Sequence, residues 1–172
     1  PSSLGMDKFE TSLRKEIEVM FIGSGILPAE VKSVGLVELK DTYLSLALDA
    51  SSLPDLGSTK VAVDMSIALP DMIKVSDVQK DENGNIILAG TLDSKGQLAL
   101  PPVRFDAFDL TGVDLSNGKD VMCNIVLDGT ITMTDAALDV SKWFGKELNV
   151  GFKSVIKEIQ IDRLTGKVEY KV

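Results

Sequence analysis

Histidine is missing from this chain of 172 residues, and cysteine occurs once, as Cys123. The first absence removes the usual general base near neutral pH and the commonest metal ligand. It also rules out a histidine-based triad on any serine or cysteine. The second excludes an intramolecular disulfide, although a chain of this length can bury a core without one. Aromatic residues make up only 5%. Modules that grip sugars or single-stranded nucleic acid lean on exposed rings, so both partner classes are disfavoured. No run of 18 apolar residues occurs, so no segment reads as a membrane-spanning helix.

What is present is acidic and apolar in ordinary proportion. Twenty-six acids against 18 bases leave a net charge of −8. Such a surface repels phosphate backbones and anionic lipid, and no nucleic-acid partner is expected. The chain opens on PSSLG without a start methionine or signal segment and closes inside the alternation VEYKV. Both ends read as cuts from a longer polypeptide, which leaves room for membrane anchoring through a missing N-terminus.

The loudest pattern is strict alternation. Val121, Cys123, Ile125, Leu127, Gly129, Ile131 and Met133 share one parity; Asn124, Asp128, Thr130, Thr132 and Thr134 share the other. A period of two over that length is a half-buried strand with one wet face. The same holds for Val61 to Leu69 and for Leu44, Leu46 and Leu48. Half-wet strands belong to antiparallel sheets. Asn83-Gly84 is a hairpin signal. Ser94-Lys95-Gly96, Ser116-Asn117-Gly118 and Leu164-Thr165-Gly166 are further expected turns. Asp128-Gly129 lies within a strand and predicts a bulge or a close approach. Pro101-Pro102 predicts that VRFDAFDL, from Val103, is an edge strand or an extended loop.

Residues 135–144 carry Ala136, Ala137, Val140, Trp143 and Phe144 on one helical face, which predicts a short helix there. Residues 6–20 suit a helix or a strand. A phrase recurs three times, as LPAEVKSVGLV, LPDMIKVSDV and VIKEIQI, with Lys32, Lys74 and Lys157 in matching places. It implies strand, break, strand, turn, strand, and makes residues 16–23 a strand by analogy. Leu-Pro marks the break twice, where proline can end a strand or move it between sheets. The lysines read as solvent-facing charges that discourage edge pairing.

The chain therefore predicts an all-β, mainly antiparallel, sandwich-like fold with one short helix, and repeated β units are an option within it. A closed barrel is the alternative. One domain is expected over residues 1–172, with a subdivision near 95–102 as an option.

Chemistry is thin. DENGN, Asp81 to Asn85, has glycine at position 4 and Leu92 at position 12, so it fails the calcium-loop pattern and reads as a hairpin. Asp106, Asp109 and Asp114 could surround a cation if their loop curls; solvated loop acids are the plainer reading. Cys123 faces the core side and reads as packing. Ser12 to Lys15, SLRK, fits the letters of a serine–lysine pair and nothing more. Gly23-Ser24-Gly25 is too short for a phosphate cradle and predicts a bend. Trp143-Phe144 would be a hot spot if exposed, and a plug over one sheet end if not. No catalytic residue, metal ligand or cofactor is assigned, and a ligand site is left unknown.

ILPAEVKSVGLVELKDTYLSLAL and DENGNIILAGTLD together resemble β-rich modules of uncharacterised secreted or lipid-anchored bacterial surface proteins. The resemblance implies an extracytoplasmic, non-catalytic role in structure, adhesion or assembly. The alternative expectation is a carrier for a small apolar ligand between β-sheets.

Overall fold

A computed structural model describes the backbone of residues 8–49, 60–134, 151–156 and 160–168. Ten strands are described: β1 (Lys8–Ile22), β2 (Val31–Asp49), β3 (Lys60–Ala68), β4 (Ile73–Val75), β5 (Ile86–Thr91), β6 (Gln97–Ala99), β7 (Val103–Asp109), β8 (Asp120–Thr134), β9 (Gly151–Ile156) and β10 (Gln160–Val168). They form two antiparallel sheets. The first has the order β1-β8-β3-β5; the second runs β10-β2-β7-β4, with β6 and β9 also pairing β2. Neither closes into a barrel. The architecture is sandwich-like, as the alternation predicts.

The ambiguous N-terminal segment is strand from Lys8 onward. Every residue of β1 pairs with β8, from Lys8↔Thr134 to Ile22↔Asp120. A helix would have placed Leu13, Ile17 and Met20 together. The strand instead buries Val19 and Phe21 and leaves Met20 exposed, because neighbours on a pleat face opposite ways. The expected helix over 135–144, with Trp143 and Phe144, lies outside the described residues.

The core fills the space between the sheets. Val61, Val63, Met65 and Ile67 of β3 and Ile125, Leu127, Ile131 and Met133 of β8 supply one wall. Leu44, Leu46 and Leu48 of β2 and Val103, Phe105 and Phe108 of β7 supply the other. One buried cluster takes in residues on both sides of 95–102, including Leu100. Over Gly129 the wall is closed by neighbours. A Cβ there would stand 2.4 Å from Met65 Sδ and 3.2 Å from Leu13 Cγ, so the glycine makes room for side chains on both flanking strands. The β8 register runs unbroken through it, so the glycine marks a close approach.

The recurring phrase has a structural counterpart in two places. The chain leaves the first sheet for the second between β1 and β2, across Leu27-Pro28, and again between β3 and β4, across Leu69-Pro70. Gly23–Gly25 forms a 3₁₀ turn at the first crossing. In the second copy the expected turn stands at Asp81–Asn85 and the next strand begins at Ile86, while the other two copies depart from expectation. No turn separates Leu36 from Tyr43. β2 runs on through both, and Glu38 and Thr42 are consecutive partners of β7 across a register shift. Asp41 absorbs that shift at φ 49°, and the Thr42 hydroxyl donates to the Lys40 carbonyl at 3.1 Å while fully buried. Leu164-Thr165-Gly166 is likewise a register shift inside β10. A bulge uses the same turn-forming residues without reversing the chain.

VRFDAFDL is neither an edge strand nor a loop. β7 lies between β2 and β4. Pro101 and Pro102 precede it, so no ladder donor is lost within Val103–Asp109.

Candidate functional site

Asp81 Oδ1 accepts the N–H groups of Asn83 and Asn85 at 2.9 Å each, and Gly84 N–H donates to the Asp81 carbonyl at 3.0 Å. DSKGQ repeats the device. Asp93 Oδ1 accepts from Lys95 and Gln97 at 2.9 Å each, and Gly96 N–H donates to the Asp93 carbonyl at 3.0 Å. Gly84 and Gly96 sit at φ 80° and 76°, which glycine adopts without strain. Both hairpins thus have a three-residue loop closed by an aspartate, with that side chain already engaged by backbone.

Asp109 and Asp114 do the same work on the segment between β7 and β8. Asp109 accepts Thr111 N–H at 3.0 Å; Asp114 accepts Ser116 N–H at 2.9 Å. The hydroxyls of Thr111 and Ser116, together with those backbone bonds, hold both carboxyls below their ordinary value. Asp106 lies 3.5 Å from Arg104. Among the described residues no three acidic, cysteine or histidine side chains gather as a cation site.

Cys123 is half-buried against the core, and burial pushes its thiol up from the ordinary value. That disfavours the nucleophilic thiolate. Ser12 and Lys15, three residues apart on β1, face opposite sides of the sheet rather than sharing one helical face. Ser12 points outward beside Arg14, whose guanidinium Nη1 reaches both oxygens of Asp128 at 3.0 and 3.1 Å. Lys15 shares the inward parity of Leu13 and Ile17 yet is exposed. Lys32 and Lys74 are both exposed; Lys157 lies outside the described residues.

Two hollows are described. One, of about 180 Å³, lies by the β4 end and is lined by Ile67, Pro70, Ile73, Lys80 and Ile86, among others. The other, of about 690 Å³, is an open groove on the outer face of the first sheet, edged by Ser12, Arg14, Asp64, Ser66, Asp128 and Thr130. Leu13, Met65, Ile87 and Gly129 line it as well, so it is a mixed groove open to solvent.

One region of that outer face is different. Met20, Ile22, Ile26 and Met122 are exposed by 40, 53, 48 and 53%. Met20 and Met122 are direct cross-strand partners, and Ile22 follows Met20 on the same face. Ile26 comes from the chain that leaves β1. That stretch is pinned: Ser24 gives both its N–H and its hydroxyl to Asp120 Oδ1, at 3.0 and 2.9 Å. Leu27 N–H reaches the Gly23 carbonyl at 2.7 Å. Lys119 Nζ spans the Val31 and Leu115 carbonyls. The apolar surface is therefore held in place by hydrogen bonds around it. Sequence reading missed it because even positions of β1 and β8 count as the wet face. The signal was there, as Met20, Ile22 and Met122 at positions where alternation calls for polar residues.

Comparison with protein families, with characterised proteins and with solved structures found no match.

Proposed function

We propose that this chain is a non-catalytic module of an extracytoplasmic bacterial surface protein and serves assembly or adhesion through protein contact. The observation that carries the reading is the exposed apolar group of Met20, Ile22 and Met122 on a sheet face where the preceding outward positions of β1, Ser12, Arg14, Glu16 and Glu18, are all polar. Water penalises such a cluster, and a cluster that is kept in spite of it marks a contact surface. The acidic loops add to the reading by their occupation: their carboxylates fasten turns and leave no poised acid–base pair on these segments. The apolar-carrier alternative has less support, since the described walls of the sandwich press side chain on side chain and the larger described hollow is an open surface groove outside them.

The test is surface exposure of the native protein. Intact cells of the source organism are treated with a protease that cannot enter them, and the chain is followed by an antibody to this module. Cleavage on intact cells is expected. Protection until the cells are lysed overturns the extracytoplasmic reading.

A further inference from the structure

We propose that the Glu16–Ile22 half of β1 accepts an extended, basic and apolar strand from a partner protein, added antiparallel to its open edge. The inference rests on the assembly reading above and names the partner's chemistry.

Among the described strands β1 stands outermost in its sheet. Among the described strands it pairs only with β8, so alternate backbone N–H and C=O groups along its other side face away from the sheet. An unpaired edge is a template for a further strand, and proteins ordinarily blunt it with charge. β1 blunts only half of its length. Glu10, Arg14 and Lys15 guard the first half, and Lys15 is a charge on the inward parity, where an added strand would need an apolar neighbour. From Ile17 onward the inward positions are Ile17, Val19 and Phe21, all apolar. The outward positions over that stretch are Glu18, Met20 and Ile22, preceded by Glu16, and all four are exposed.

The side chains dictate what fits. An antiparallel strand places one residue opposite each of these positions at cross-strand distance. Opposite Met20 and Ile22 it needs apolar residues. Opposite Glu18 it needs Lys or Arg, and a base is also favoured opposite Glu16, whose carboxylate lies 3.5 Å from the Arg14 guanidinium. The nearest charge beyond the apolar group is again acidic, Asp120, the cross-strand partner of Ile22. A second copy of β1 paired antiparallel over this same stretch would set its Glu16 opposite Ile22 and its Glu18 opposite Met20, carboxylate against apolar side chain, and the chain carries a net charge of −8. Electrostatic complementarity therefore selects a basic foreign strand over self-pairing. Such strand addition takes its affinity from main-chain bonds and its specificity from alternate side chains.

The experiment titrates the purified protein with three seven-residue peptides and follows anisotropy and methionine methyl NMR signals. The first alternates apolar inner positions with two apolar and then two lysine outer positions. The second replaces the lysines with glutamates. The third is the first peptide N-methylated on the edge that would face β1. The first is expected to bind at least about tenfold tighter than the second, the worth of two cross-strand charge pairs exchanged for repulsions. It should shift the Met20 and Met122 signals, and N-methylation should abolish binding. Glu18→Lys should weaken the first peptide and strengthen the second, which a merely unfolded variant would not do. Equal affinity for the first two peptides, undiminished binding of the third, or a protein already dimeric through β1 overturns the proposal. None of those outcomes touches the surface-exposure test, so the two readings fail separately.

Discussion

Phe21 and Phe108 meet edge to face across the interior, ring centroids 6.0 Å apart and planes at 74°. Phe21 belongs to β1 in the first sheet and Phe108 to β7 in the second, so the pair joins the two layers. Both are about 2% exposed. Aromatic pairs in this geometry add a quadrupole attraction to their burial. Phe108→Ala should cost about 3–5 kcal/mol, from lost transfer energy and the cavity left behind. Urea unfolding at constant slope measures it. A cost under about 1 kcal/mol would mean that the layers close without this contact.

Gly129 makes a second prediction. Because a Cβ there runs into Met65 Sδ and Leu13 Cγ, Gly129→Ala should destabilise by about 1–3 kcal/mol through overpacking. Met65→Ala frees that space. In a double-mutant cycle the Gly129→Ala penalty should shrink in the Met65→Ala background by about 1 kcal/mol or more. Strict additivity would place the strain elsewhere.

The fold was legible wherever alternation ran without interruption. Val61 to Ile67 and Val121 to Met133 obey a period of two, and each is a strand with the expected face inside. β2 was legible only in its last third. Its buried positions go Val31, Val34, Val37, Leu39, Thr42, then Leu44, Leu46 and Leu48. Each spacing of three is a bulge, and a bulge breaks the period that sequence reading depends on. Pro101-Pro102 misled for a different reason. The rule concerns proline within a strand, and these two stand just outside one. The candidate docking face was illegible because parity alone decides inside from outside. A sheet edge adds a third environment that parity does not distinguish.

Acid should loosen the segment that carries the exposed apolar group. Asp120 is held below its ordinary value of 3.8 by hydrogen bonds from Ser24 backbone and hydroxyl. Asp109 and Asp114 are lowered in the same direction by Thr111 and Ser116. A depressed carboxyl contributes stability that is fully present above its unfolded value and is lost as pH falls through the folded one. Stability should therefore be flat from neutral pH down to about 5 and decline below about 4. Asp120→Asn should be the less stable form at neutral pH, with the gap to the native protein closing as pH drops toward 2. Thermal melts across that range measure it. A gap that widens in acid would reverse the sign and remove Asp120 from this role.

Lys15 sets the boundary of the open edge, and that gives the sharpest test of how β1 is kept single. It sits between Leu13 and Ile17 on the inward parity, opposite Leu127 on β8, and it is exposed. A residue facing the core side of an edge strand yet reaching water marks the lateral opening of the sandwich. A charge at that place makes a second edge strand bury an ammonium group, which costs more than the ladder bonds return. Lys15→Val removes the obstacle and raises β-propensity at the same time. The unguarded stretch then runs from Leu13 to Ile22. The variant should self-associate once salt screens Glu16 and Glu18 of the two copies, seen as a concentration-dependent rise in mass by light scattering at high ionic strength, while its thermal stability stays within about 1 kcal/mol of the native protein. Lys15→Glu keeps an inward charge and should remain monomeric. If Lys15→Val is also monomeric at high concentration, the inward charge is not what keeps β1 single, and another segment must cover that edge.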